Sequence, residues 1–150
     1  MYKRILFATD GSSVSNLALR QAVMLAAAFK AQLRIVTIAD QYSFDQSWWV
    51  NAEAFEQLLS RMRESWSKVL AAAQGEAQKD GVEAETRLLE LEEQGQRISD
   101  RIAHEAASWP ADLIVLGTHG RHGVDRLVLG SVAEGVARTA AAPVMLVRGN

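Results

Sequence analysis

The sequence predicts a single-domain α/β protein with a five-stranded parallel sheet between two layers of helices. Short apolar runs alternate with longer segments of helical periodicity, in the order β-α-β-α-β-α-β-α-β. Two of the runs, residues 3–9 and 112–117, are apolar enough for strands buried on both faces at the centre of such a sheet. Placing them side by side gives a Rossmann-like three-layer α/β/α fold with the strand order 3-2-1-4-5.

The first half of the chain supplies two strands and a helix between them. Residues 3–9 form the first strand, and the serines that follow offer N-caps for a helix that ends near Lys30. A second strand, residues 33–39, is rich in β-branched residues. The inward face predicted for the helix consists of Val14, Leu17, Met24, Leu25, Ala28 and Phe29.

Residues 40–50 show neither the helical nor the strand periodicity of apolar residues and carry four aromatic side chains, so we interpret them as a loop. Two roles are open for Trp48 and Trp49: a lid or partner contact, or cover for the sheet edge. Residues 51–79 form a long amphipathic helix, and we assign Trp66 to its core-facing side. The predicted inward face of this helix comprises Leu58, Leu59, Met62, Trp66, Val69, Leu70 and Ala73.

The second half of the chain continues the alternation. Residues 82–91 alternate as a strand does, and residues 96–109 form a helix that Pro110 ends. We find no repeat, low-complexity tract or linker, so residues 1–150 are assigned to one domain. The remaining elements are a strand at 112–117, a glycine-spaced loop at 118–130, a helix at 131–141 and a last strand at 144–147.

Composition and charge exclude several classes of function. The chain has no cysteine, which removes disulfide scaffolds, Cys-based zinc sites and thiol catalysis. Its formal net charge of −2 argues against a general nucleic-acid binder. No apolar stretch has the length of a membrane span, and the N-terminus lacks the features of a signal peptide. We therefore expect a cytoplasmic protein without membrane insertion.

The predicted strand order indicates where a ligand would bind. The chain winds outward in opposite directions from the first and fourth strands, and such folds bind ligands where the carboxyl ends of these strands meet. The loops at this point are residues 9–12 and residues 117–120.

Four glycines follow the fourth strand within fourteen residues: Gly117, Gly120, Gly123 and Gly130. Glycines let backbone N–H groups turn toward a ligand, and the helix that begins at Ser131 offers unpaired N–H groups to phosphate. Two alternatives stay open: a merely flexible loop, and a capping box in which Ser131 pairs with Glu134. The spacing matches neither a Walker P-loop nor the usual dinucleotide fingerprint.

The same loop carries side chains that could be taken for metal ligands. His119 and His122 are three residues apart and Asp125 is close, but the chain has only three histidines and no further strong ligand nearby. With Arg121 and Arg126, the histidines make the loop locally basic, which suits phosphate or a solvated surface better than a transition metal.

These motifs resemble those of the universal stress protein family. Gly117-Thr-His-Gly120, nine residues and then Gly130-Ser131 match its nucleotide-binding motif G-x2-G-x9-G-S. Residues 3–12 resemble the family's first strand and following loop, and residues 142–147 resemble its last strand. The similarity therefore covers essentially the whole chain.

The resemblance implies that the ligand is ATP or another adenine nucleotide. Asp10 would contact the ribose or a Mg²⁺ ion carried by the phosphates, with Thr9 beside it, and backbone groups of Ile38 would contact the adenine edge. Gly117, His119 and Gly120 would line the ribose and α-phosphate, and Gly130, Ser131 and Val132 would hold the β- and γ-phosphates.

The last strand predicts a homodimer. An apolar edge strand at Val144–Val147 invites uncontrolled pairing unless it is covered, and pairing with its own copy about a two-fold axis would cover it. The family resemblance implies the same dimer.

Three functions remain open. The first is a nucleotide-responsive regulatory module in the stress response, in which ATP orders the 118–130 loop and the Trp48–Trp49 segment and so changes the surface shown to a protein partner. The second is a slow ATPase, for which Asp10, His119 and Arg121 are the nearby candidates, although none has a clear general-base setting and we assign no catalytic residue. The third is a dimeric interaction protein without nucleotide.

Overall fold

The computed structural model describes residues 1–43, 51–120 and 128–149. Over these residues, five parallel strands form one sheet in the order β3-β2-β1-β4-β5, as the sequence predicts. The elements are β1 (Arg4–Ala8), α1 (Ser13–Phe29), β2 (Gln32–Ala39), α2 (Ala52–Lys79), β3 (Ala84–Glu90), α3 (Ile98–Ser108), β4 (Leu113–Gly117), α4 (Ser131–Thr139) and β5 (Val144–Val147).

The centre of the sheet is apolar on both faces. Phe7 of β1 pairs with Ile35 of β2 on one side and Val115 of β4 on the other, and none of the three is exposed. One core lies between the sheet and α1 and α2, and a second lies between the sheet and α3 and α4. Among the helices that the structure describes, none combines the length and apolar character needed to cross a membrane.

The face that α1 buries differs from the predicted one. Met24 is 55% exposed and Phe29 packs at the rim, edge-on to Tyr2, so the predicted face was wrong at these two residues, whereas Leu25 packs against the core. Small side chains let the helix approach the sheet closely, and the larger apolar residues lie along its flanks. The buried residues are Ser15, Ala18, Leu19, Ala22, Val23 and Ala26.

The predicted inward face of α2 is correct in part. Leu59, Leu70 and Ala73 are buried, but Leu58 is 39% exposed and Trp66 is only half-buried. The assignment of Trp66 to the core was therefore wrong, and the reason is a cavity in front of its side chain. The loop that precedes α2 includes Trp48 and Trp49, which lie outside the described residues.

A charged cluster unforeseen from the sequence joins α3 to β2 and β3. The guanidinium of Arg34 contacts Glu105 at 3.0 Å and Glu85 at 2.8 Å, and it lies 4.4 Å from the ring centre of Trp109. Arg87 adds a 3.2 Å contact to Glu105. The Arg34 and Glu105 side chains are 11% and 5% exposed, so their charges are compensated by partners within the cluster rather than by water.

Candidate functional site

A cavity of about 500 Å³ lies where the carboxyl ends of β1, β2 and β4 meet. Its floor is formed by residues 8–10, 37–38 and 116–120, which leave these three strands. This is the crevice that the strand order predicts, because the chain diverges to opposite sides of the sheet at this point.

The turn after β1 is held by hydroxyl groups. Thr9 Oγ1 accepts hydrogen bonds from the Gly11 N–H at 3.1 Å and from the Ser15 hydroxyl at 2.8 Å. Thr37 Oγ1 donates to the Thr9 carbonyl at 2.8 Å, which ties this turn to β2. Thr9 and Thr37 are both buried, so these bonds fix the polar floor of the cavity.

Asp10 follows directly and lines the cavity. Its Oδ1 accepts a hydrogen bond from the Ser12 N–H at 2.9 Å, and Ser12 itself is the N-cap of α1, accepting from the Ser15 N–H. Asp10 therefore supports the turn ahead of the helix while Ser12 performs the capping.

Two glycines of the loop after β4 lie at close approaches, one to a side chain and one to backbone. A β-carbon at Gly120 would lie 2.6 Å from Asp10 Oδ2, and one at Gly130 would lie 2.8 Å from the Thr118 carbonyl oxygen. The Gly130 N–H donates to that carbonyl at 2.8 Å. At these positions the glycines are thus more than a flexible linker; Gly123 lies outside the described residues.

The N-terminus of α4 opens onto the cavity. Its N-cap is Gly130, with no side-chain hydrogen bond to the first turn, so the predicted capping box of Ser131 and Glu134 was wrong. Glu134 instead pairs with Arg138 one turn later. The first intrahelical backbone bond runs from Glu134 N–H to Gly130, and Ser131, Val132 and Ala133 line the cavity. This end has the character of an anion site.

His119 carries a ring nitrogen without a partner. Its Nδ1 lies 2.9 Å from Thr118 Oγ1, whereas Nε2 is buried and has no hydrogen-bond partner within the described parts of the chain. Buried polar groups are normally satisfied, so this nitrogen is an exception in a residue that lines the cavity. No group of three metal-binding side chains occurs in the ranges that the structure describes, while His122 and Asp125 fall outside them.

A short turn closes the side of the cavity next to β2. The side-chain amide of Gln41 donates to the Leu91 carbonyl at 2.6 Å and accepts from the Leu91 N–H at 3.1 Å, joining the ends of β2 and β3. Asp40 and Ser43, on either side of Gln41 in the chain, line the cavity, and the Ser43 hydroxyl donates to the Asp40 carbonyl. A glutamine in a loop gave no sequence signal for this role.

The cavity also has apolar walls that the sequence analysis missed. Met62 and Trp66 of α2 and Ile98 and Ile102 of α3 contribute to the lining. The helical spacing of these residues predicts core packing, and periodicity does not separate a side chain that faces the core from one that faces a cavity. All nine predicted site residues line this cavity: Thr9, Asp10, Ile38, Gly117, His119, Gly120, Gly130, Ser131 and Val132. Their contacts with a nucleotide stay a prediction.

Comparison with known proteins gives one consistent result. The model of the universal stress protein family matches residues 1–148. Universal stress protein MJ0531 of Methanocaldococcus jannaschii is 34% identical over 149 residues, covering 99% of this chain and 83% of the relative. A putative universal stress protein of Staphylococcus aureus strain USA300 is 34% identical over 147 residues, covering 98% of this chain and 84% of the relative.

Solved structures agree with these relatives. Hypothetical protein MJ0577 superposes with a TM-score of 0.83 at 23% identity, over 100% of this chain and 98% of that one. A universal stress family protein from Burkholderia pseudomallei gives 0.74 at 33% identity, over 97% and 96%. A universal stress protein in complex with cAMP gives 0.71 at 28% identity, over 97% of each chain.

Proposed function

Since the chain belongs to the universal stress protein family, we propose that it binds ATP, or a close adenine nucleotide, as a cytoplasmic regulatory module of the stress response. One observation supports this proposal above the others. The cavity joins apolar walls to a glycine-framed helix N-terminus, and the buried Nε2 of His119 faces no partner among the described residues. An adenine nucleotide has a flat aromatic base, which can pack against apolar side chains, and an anionic tail, which suits a helix N-terminus.

The proposed arrangement assigns a part of the nucleotide to each wall. The base would lie near Ile38, the ribose near Asp10 and the residues that follow β4, and the phosphates at Gly130, Ser131 and Val132. The backbone N–H groups of the first turn of α4 have no intrahelical acceptor, so they are available to phosphate oxygens.

A Mg²⁺ ion carried by the phosphates fits the donor chemistry at the same place. Mg²⁺ takes oxygen ligands, and one or two carboxylates usually complete its coordination beside substrate phosphates. Asp10 is the carboxylate that stands next to the glycine loop, so it would hold the ion. Once bound, the ion would neutralise charge on the phosphates.

The related structures support the same ligand class. A universal stress protein of 28% identity was solved in complex with cAMP, which is an adenine nucleotide. We extend this ligand class to the present chain because its cavity lies at the predicted switch point and contains all the residues of the glycine motif that the structure describes.

The dimer is proposed from the edge strand β5. The Pro143 carbonyl accepts a hydrogen bond from Ile114 of β4, and the Val147 carbonyl accepts one from Thr118, which follows β4. The backbone groups of the alternate residues, Val144 and Leu146, therefore face away from β4. A second copy of β5 would pair with them and cover the half-buried apolar side chains of the strand.

Release of bound ligand tests the proposal. The purified protein is denatured, and the supernatant is analysed for nucleotides by mass spectrometry. The thermal unfolding of the nucleotide-free protein is then measured with ATP at a hundred-fold excess over its dissociation constant. Binding at this excess is expected to increase the free energy of unfolding by about 2.7 kcal/mol and Tm by roughly 5–10 °C. Absence of both released nucleotide and ATP-dependent stabilisation would remove the basis of the proposal.

A further inference from the structure

The buried apolar stripe of α2 contains one half-buried residue, Trp66. Leu59, Leu70, Ala73 and Ala77 are buried on one side of the helix, which packs on β2 and β3. Trp66 falls in the middle of this stripe, since positions 59, 66, 70 and 77 share one face at 100° per residue. Its side chain is nevertheless only half-buried, and it lines the cavity.

Met62 repeats this pattern one turn earlier on α2. It is half-buried and lines the same cavity as Trp66. Opposite these two side chains, α3 contributes Ile98 and Ile102, also one turn apart. The cavity is thus bounded by apolar side chains from two helices on opposite faces of the sheet.

The two ends of the cavity differ in chemistry. Met62 and Trp66 enter from the side of β2 and β3, on which α2 packs, whereas the glycine loop and α4 follow β4. Indole and thioether groups favour contact with an aromatic ring. The N-terminus of α4, which begins after Gly130, favours binding of an anion.

We propose that Trp66 and Met62 form a wall that selects the aromatic base of the ligand, with Trp66 stacking against the ring. The inference rests on the proposed nucleotide-binding function and extends it. The wall recognises the base independently of the phosphates, so adenosine itself binds, and the wall contributes nothing to an inorganic polyphosphate.

The test compares three probes by isothermal titration calorimetry: ATP, adenosine and inorganic tripolyphosphate. Each is titrated into the full-length wild type, Trp66→Ala, Trp66→Leu and Trp66→Phe. Leu58→Ala serves as the matched control, because Leu58 is on the same helix but on its exposed side. Urea unfolding of every variant establishes that it is folded.

Loss of stacking weakens ATP and adenosine about ten-fold in Trp66→Ala and leaves tripolyphosphate unchanged. Trp66→Phe retains most of the affinity because it keeps a ring. Trp66→Leu keeps an apolar side chain, although a smaller one without a ring, so it loses stacking as Trp66→Ala does and serves as the second variant if the alanine variant folds poorly. Leu58→Ala binds all three probes as the wild type does.

The remaining outcomes separate the wall from the proposed function. Unchanged ATP and adenosine affinities in Trp66→Leu would contradict recognition of the base by Trp66 but leave the nucleotide-binding proposal intact. An equal loss of affinity for tripolyphosphate would also contradict recognition of the base, because the substitution would then act on a ligand that has no base. A wild type that binds adenosine but not ATP keeps the wall and removes the ATP proposal. A wild type that binds neither removes both.

Discussion

Gly120 approaches Asp10 so closely that a β-carbon on the glycine would lie 2.6 Å from the aspartate Oδ2. The other oxygen of the same carboxylate, Oδ1, accepts a hydrogen bond from the Ser12 N–H. Asp10 is therefore held between the turn after β1 and the loop after β4. The geometry of the cavity floor depends on a glycine that lies more than a hundred residues away in sequence.

Gly120→Ala is expected to weaken ATP binding about ten-fold with little loss of stability. The added methyl group meets the end of a flexible side chain, so Asp10 rotates away and the backbone stays in place. Calorimetric titration measures the affinity and thermal unfolding the stability. Gly75→Ala is the control, because Gly75 lies in α2 with open space around it, and that change is expected to raise stability by about 0.5–1 kcal/mol without affecting binding. Equal affinity in Gly120→Ala and wild type would argue against a ligand role for Asp10.

Gly130→Ala is expected to abolish ATP binding and also to lower stability by about 1–2 kcal/mol. Here the methyl group would meet the Thr118 carbonyl at 2.8 Å, and backbone cannot move aside as a side chain can. The displacement opens the junction between the loop and α4, where phosphate is proposed to bind. Urea unfolding and ATP titration measure the two effects. A variant as stable as the wild type that still bound ATP would show that this junction is not the phosphate site.

Glu105→Gln is expected to destabilise the protein by about 2 kcal/mol, because it removes the buried carboxylate that contacts Arg34 and Arg87 and leaves Arg34 with the more exposed Glu85. Chemical denaturation measures the change. Glu64→Gln is the matched control: its ion pair with Lys68 is exposed and 3.8 Å long, so its loss is expected to lie within experimental error. Equal effects of the two substitutions would mean that the Arg34–Glu105 cluster contributes no more than a surface pair.

The proposed dimer predicts a mass of twice 16.4 kDa in equilibrium sedimentation at micromolar concentration. Leu146→Pro removes a backbone N–H that faces away from β4, so it is expected to shift the protein toward monomer. Met145→Leu, a volume-conserving change on the same strand, is expected to leave the dimer intact. A wild type that sediments as a single chain at every concentration would contradict the pairing through β5.

The sequence predicted what depends on local pattern and missed what depends on packing between distant elements. Phe7 and Val115 lie in runs so apolar that both strands had to be central, and this gave the strand order. The buried face of α1 was wrong because alanines carry a weak hydrophobic signal, although Ala18 and Ala22 allow the closest approach to the sheet.

The same distinction applies at the site, where residues next to the strands were predicted correctly and residues from distant helices were not. All nine predicted residues line the cavity because they follow β1, β2 and β4 directly, where the topology places a crevice. Trp66 has the same helical spacing whether it faces the sheet or a cavity beyond the strand ends, so periodicity could not separate the two. The pairing of Arg34 with Glu105 joins residues 71 positions apart, and no local pattern encodes it.

Titration of ATP into the nucleotide-free protein, with and without Mg²⁺, directly tests whether the cavity binds a nucleotide. We predict saturable binding of one nucleotide per chain, with an affinity that is lower in Gly120→Ala and in Trp66→Leu but unchanged in Gly75→Ala. Absence of saturable binding to a folded wild-type protein, or affinity unaffected by both cavity substitutions, would contradict it.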